Sequence, residues 1–286
     1  MRTTVIAAGS LALALTLGAC GGESTGGTAT AGKTFTDAAS LVSAAKESTS
    51  EKKSANFTMD MDMGPVTATA DGQGLFDGEN SQMAMTMSMD MSAAGMGTMN
   101  MEIRMLDNVM YVKLPSGMPG ANPAKPWTKM DLADMSAAGG MDMGQLMEQN
   151  DPTKALEMLK GSGEITGTEE TQVNGEPATK YTVNVDFAKL MSQYGGGMGQ
   201  LGDMRGLKID TIPVEAWINA ENLPVRFKMD MSEIMNQAAK SSGQMPKGVN
   251  FDGAHITMTY SDWGTPVSIE APPASQIGKS GLPGGN

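Results

Sequence analysis

The side chains in this sequence with chemistry to offer are one thiol, one imidazole and 29 thioethers. The imidazole, His255, lies in the alternating segment HITMTY, on the face opposite Ile256 and Met258. A strand histidine of that kind is solvent-facing or satisfied by a neighbour, and every Ser–His–Asp or Cys–His arrangement would have to rest on it alone. The adjacent carboxylates Glu169 and Glu170 read as the solvated edge of a hairpin. No glycine-rich run has the spacing of a phosphate-binding loop. No catalytic residue is assigned, an enzyme is not expected, and no cofactor is called for.

The thioethers are different, because their spacing is regular. Between residues 57 and 105 there are twelve methionines, and eleven have odd numbers. In a strand, residues two apart point to the same face. Met83, Met85, Met87, Met89 and Met91 therefore form one thioether face, with Ala84, Thr86, Ser88 and Asp90 on the other. The neighbouring runs Phe57, Met59, Met61 and Met99, Met101, Ile103, Met105 repeat the arrangement.

Three readings of that face stay open. A packed core accounts for the alternation, since each methionine fully buried contributes about 1.5–3 kcal/mol. It does not account for the choice of methionine, because Leu, Ile and Val lose less rotamer entropy and specify packing better. A cavity for flexible chains accounts for both, methionine being suited to contents of variable shape. Copper(I) is the third reading, since thioethers are soft ligands, but the face is too long and regular for a site of three or four ligands. No metal site is assigned.

Composition narrows the partners. Acidic residues outnumber basic ones 32 to 20, for a formal net charge of −12, which disfavours nucleic acid. The thiol is placed by its context. Arg2 is followed by an apolar stretch from Val5 to Leu17, too short for a spanning helix, and this ends in Leu17-Gly18-Ala19-Cys20, which resembles a bacterial lipobox. Residues 1–19 read as a signal peptide and Cys20 as the lipidated residue. Two or three acyl chains make a lasting anchor, so the expected location is extracytoplasmic, on the cell membrane. Residues 20–33, rich in Gly, Ser and Thr, read as a flexible tether. Residues 34–274 are the expected domain and 275–286 a disordered tail.

The elements follow from period and punctuation. Thr36-Asp37 opens a helix whose face is Ala38, Leu41, Val42 and Ala45. Strands are expected from Phe57 to Met63, Ala68 to Leu75, Met83 to Met91, Met99 to Met105, Val109 to Leu114 and Trp127 to Asp131. Residues 132–160 look partly helical, with Asp151 as N-cap, Pro152 in the first turn and Leu156 and Leu159 inward. A second set of strands runs over 164–173, 178–185, 214–218, 223–229, 255–260 and 267–269. Short helices are expected at 186–194 and 233–240. The fold class is α+β: a large, mostly antiparallel, curved sheet packed on helices.

The C-terminal half also carries a resemblance. PVEAWINAENLPVRFKMDMS followed by ITMTYSDWGTPVSIEAPP resembles the actinobacterial LppX/LprG-type lipoprotein family, in which a Trp-Ile strand, a hairpin and a Trp-Gly segment close the domain. Here these are Trp217-Ile218 and Trp263-Gly264 with Val267. TGTEETQVNGEPATKYTVNVD resembles that family's Asn-Gly hairpin, and MYVKLPSG with PWTKMD the strand and tryptophan before it. The resemblance implies a half-barrel sheet wrapped over helices around an apolar cavity, similar to the LolA/LolB lipoprotein carriers. It implies a carrier of acylated lipid or glycolipid across the cell envelope, with a membrane transporter as a possible partner. The family has no catalytic motif to carry over, and the methionine richness and the insertions at 195–206 and 232–250 depart from its pattern.

The expected cavity lining is Phe57, Met59, Met61, Met83, Met85, Met87 and Met89 from the first strands. Met99, Met101, Ile103 and Met105 continue it, and Leu223, Val225 and Phe227 add the C-terminal hairpin. The alternatives are a Cu(I)-binding lipoprotein and a structural or signalling lipoprotein without a ligand.

Overall fold

The computed structural model describes residues 34–95, 97–115, 117, 122–131, 152–194, 207–242 and 251–278. Cys20, the signal peptide, the tether, Asp151 and the glycine-rich insertion at 195–206 lie outside the described residues.

Helix α1 (Ala38–Lys52) begins where Asp37 accepts a 2.8 Å hydrogen bond from the Ser40 N–H. That bond satisfies one of the free donors of the first turn. Its apolar face, Ala38, Leu41, Val42 and Ala45, is buried as the periodicity predicts. The helix ends at Lys53, in the left-handed region with φ 60°, whose N–H returns to the Thr49 carbonyl. Helix α2 (Pro152–Ser162) starts at a proline, and helices α3 (Phe187–Tyr194) and α4 (Ser232–Ser242) follow later in the chain.

Among the described residues, eleven strands form one curved, unclosed antiparallel sheet. The first meander is β1 (Ser54–Asp62), β2 (Thr67–Leu75), β3 (Gln82–Asp90), β4 (Thr98–Leu106), β5 (Val109–Lys113) and β6 (Trp127–Asp131). The second is β7 (Gly163–Val173), β8 (Glu176–Asp186), β9 (Thr211–Asn219), β10 (Pro224–Asp230) and β11 (His255–Ser261). The order β6-β5-β4-β3-β2-β1-β11-β10-β9-β8-β7 joins the meanders through β1 and β11, which pair with Met59 opposite Met258. The tight turns sit where they were expected. Asp107-Asn108 and Asn174-Gly175 all have positive φ, the geometry that matches strand twist in a two-residue hairpin.

Register makes the inner face continuous across both halves. One row runs from Tyr181 through Ala216, Phe227 and Met258 to Met59. It continues through Ala70 and Met87 to Met101. Helices α1, α2 and α3 lie over the β7–β8 end of this face. There Leu41, Leu156 and Leu159 close on Tyr181, Val183 and Val214, all at most 2% exposed. Where α1, α2 and α3 cover the sheet, the described side chains form a packed core.

The C-terminal segment departs from expectation. Residues 267–269 pair with no strand; instead the chain crosses the outer face as an extended strap. Ile269 packs on Leu106, Tyr111 and Trp127, and the Glu270 carbonyl accepts from Arg104 Nη1 at 2.9 Å. Residues 275–278, assigned above to a tail, are held at β6: Ile277 bridges Trp127, and the Gly278 N–H donates to the Trp127 carbonyl at 2.7 Å.

Candidate functional site

The sheet positions the thioethers in three cross-strand rows on its inner face. Phe57, Gly72, Met85 and Ile103 form one row, and Met59, Ala70, Met87 and Met101 the next. Met61, Ala68, Met89 and Met99 form the third. Every odd-numbered residue expected to share this face on β1, β3 and β4 does share it. Their odd numbering works because each hairpin pairs odd with odd across β3 and β4, and odd with even across β2.

That last pairing creates the shape. The inner positions of β2 are Ala68, Ala70, Gly72 and Gly74, between the long side chains of β1 and β3. Ala68 and Ala70 are each 2% exposed, covered by the methionines beside them. The result is a trough with thioether walls and an alanine and glycine floor. This floor was missed in the sequence reading, although the signal is present: small residues at even positions alternate there with Thr67, Thr69, Asp71 and Gln73.

The trough is closed at one end and open at the other. At the closed end Phe57, Met83, Met105 and Tyr260 are buried, with Phe76 and Trp263 packed against them. Trp263 lies 5.7 Å from Tyr260 and 6.1 Å from Phe76 between ring centroids. Its indole N–H donates to the Pro224 carbonyl at 3.0 Å, which fixes the aromatic cap. Toward the other end, Met59, Met61, Met85, Met87, Met89, Met99, Met101 and Ile103 are half-buried. From Met83 to Met89 the wall is about 20 Å long.

Two carboxylates end β1 and β3 on the outer face, in the row next to Met61, Ala68 and Met89. Asp62 accepts from the Gly64 N–H and Asp90 from the Ser92 N–H, each at 2.8 Å. Hydrogen bonds from the Ser92 side chain and then its backbone hold the Asp90 carboxyl below its ordinary range. His255, on the outer face, is satisfied by Asp60 at 3.2 Å and by the Gly253 carbonyl at 2.7 Å.

The C-terminal hairpin contributes less than expected. Phe227 is on the inner face, buried in the helix-covered core next to Met258. Leu223 is buried in the β9–β10 turn, where its N–H and carbonyl bond Asn219. Val225 is a correction. A bulge between Pro224 and Arg226 adds one residue to β10, so Val225 turns to the outer face and clusters with Val173, Ala178 and Trp217. A bulge interrupts the period of two, and nothing in the local composition marks it. Among the described residues, no group of three or more His, Cys, Asp or Glu could hold a metal ion.

Fold and site together define an α+β protein with one open antiparallel sheet; among the described residues, helices cover one half and a thioether trough forms along the other. No family model matches the chain. A curated relative, an uncharacterized 31.2 kDa protein of the rplA-rplJ intergenic region of Streptomyces griseus, is 25% identical over 187 residues. The match covers 63% of this chain and 56% of the relative, so the chain spans a little over half the length of the protein it matches. Among solved structures the chain is similar to LprF from Mycobacterium bovis, with a TM-score of 0.48 and 15% identity, over 82% of this chain and 96% of that one. It is similar also to the Mycobacterium tuberculosis lipoprotein LppX, with a TM-score of 0.45 and 14% identity, over 82% and 98%.

Proposed function

We propose that this protein is a cell-envelope lipoprotein that binds an acylated lipid or glycolipid along the thioether trough and carries it between membrane layers. The observation that supports this best is the contrast within one continuous face. Where the described helices cover it, the side chains are packed; along β1, β3 and β4, beyond the buried Met83 and Met105, the thioethers stay half-buried. An acyl chain laid in the trough would complete that burial at about 25 cal/mol per Å² of apolar area removed from water. Its methyl end would meet the cap of Phe57, Tyr260 and Trp263, and its headgroup would lie at the opposite end, beyond Met61, Met89 and Met99.

Cys20 would carry the anchor and residues 20–33 the tether. Among the described residues no helix is long and apolar enough to cross a membrane. A membrane transporter would then be the partner that supplies or receives the lipid. Purification of the mature domain without detergent, followed by native mass spectrometry, tests the proposal. A co-purifying lipid, or uptake of offered lipid, is expected; a clean apo mass that offered lipid does not change would overturn it.

Copper(I) is the second reading, because the register sets thioethers opposite each other, Met87 to Met101 and Met89 to Met99. Titration with Cu(I) against a competing chelator separates the two. Stoichiometric binding lost on Met87→Leu with Met101→Leu favours copper.

A further inference from the structure

The outer face of the same strands holds a polar groove that the thioether trough does not use. Two adjoining hollows, about 440 and 340 Å³, share Thr86 and Glu102. The register explains where they lie. Asp71, Thr86, Glu102 and Lys113 form one outer row across β2 to β5, with Gln73, Ala84 and Arg104 in the row beside it. Neighbouring strands lie about 4.8 Å apart, so the first row spans about 14 Å. Ala84, the small residue of the second row, makes the depression.

We propose that this groove binds a neutral, hydroxyl-rich ligand, a short saccharide. The charges decide against an ionic one. Asp71 and Glu102 are matched by Arg104 and Lys113, and Lys113 is already paired with Glu102. Phosphate or carboxylate therefore finds no net positive charge. Among the described residues, Asp71, Gln73, Thr86 and Asn100 make no side-chain hydrogen bond, although all four line the hollows. The amide and hydroxyl groups both donate to and accept from sugar hydroxyls, and the carboxylate accepts from them.

Arg104 is set in advance. Its guanidinium lies 4.9 Å over the Trp127 ring and donates to the Glu270 carbonyl of the strap. Fixing it there removes part of the ordering cost of binding and leaves further N–H donors of its fork free for the ligand. Pro115, Pro123 and Pro126 wall the larger hollow and offer a flat apolar surface to the C–H face of a pyranose. The sheet itself lies between groove and trough, so the saccharide is not the headgroup of the lipid in the trough. It belongs to a soluble oligosaccharide or to a glycolipid on a facing membrane.

The test uses the mature domain, labelled with ¹⁵N and with ¹³C at the methionine methyls, and neutral trisaccharides of glucose, mannose, galactose or arabinose at millimolar concentration. Vesicles with and without a glycolipid of the same sugars form the second arm. The groove is supported by shifts at the side-chain amides of Gln73 and Asn100, with the methionine methyls unmoved. Asp71→Ala with Asn100→Ala should weaken binding about tenfold while lipid uptake in native mass spectrometry is unchanged. Binding to glycolipid vesicles alone, lost in the same variant, supports the membrane-borne source. Absence of binding in both arms, shifts confined to the inner face, or displacement of the sugar by inorganic phosphate would overturn the proposal.

Discussion

Phe57 and Met85 meet across Gly72. A Cβ on Gly72 would lie 2.5 Å from Phe57 Cζ, 2.8 Å from Met85 Cβ and 2.7 Å from the Ala84 carbonyl oxygen. Phe57 Cζ is the far end of a side chain and could shift, but the carbonyl is backbone and cannot yield cheaply. Gly72→Ala should therefore destabilise the domain by about 1–3 kcal/mol, as overpacking does. Urea unfolding checks this: the midpoint falls while the slope stays the same.

The trough walls tolerate shape changes but not charge. Met87→Leu and Met101→Leu conserve volume approximately and should each cost less than about 1.5 kcal/mol, with lipid still bound. Met87→Asp places a carboxylate midway along an acyl chain and should abolish lipid binding. Because Met87 is half-buried, the fold should survive, and circular dichroism beside native mass spectrometry reads both outcomes.

The helix-covered half should respond as a core. Leu159 has no exposed surface and sits between α2 and the sheet. Leu159→Ala should cost about 2–5 kcal/mol, more than Met87→Ala. Calorimetry of the two variants gives the comparison, and equal losses would mean that the thioether face is packed as tightly as the covered one.

Acid stability should depend on Asp37. Its carboxylate accepts from the Ser40 backbone N–H first and the Ser40 side chain second, and these bonds lower its pKa below the ordinary 3.8. The folded value lies below the unfolded one, so the stabilisation is fully present above the ordinary carboxylate range and is lost as pH falls through the folded value. Asp37→Asn keeps a capping side chain but has no proton to gain. Its urea midpoint should change less than that of the native chain between pH 5.0 and the acid limb below pH 3.8, and parallel curves would contradict the assignment.

The thioether face was legible because it depends on the period of two alone, and β1, β3 and β4 keep that period without a bulge. The Asp107-Asn108 and Asn174-Gly175 turns were legible from residues that tolerate positive φ. Non-local features were not. The pairing of β1 with β11, which joins the two meanders, is set by tertiary packing between strands far apart in the chain. The β10 bulge turned Val225 away from Phe227, although their spacing of two assigns them to one face. Residues 267–269 read as a strand in composition. They go unpaired because β1 already occupies the edge of β11 and because Ile269 finds an apolar seat on Tyr111 and Trp127.

The central claim is that the thioether trough holds an acyl chain. The most direct test labels the methionine methyls with ¹³C and adds a fatty acid bearing a nitroxide along its chain. The account predicts that the methyl signals of Met59, Met85, Met87 and Met101 broaden first, while those of Met158 and Met191 at the helices keep their width. Broadening that favours the helix methionines, or no broadening on β1, β3 and β4 at saturating ligand, would contradict it.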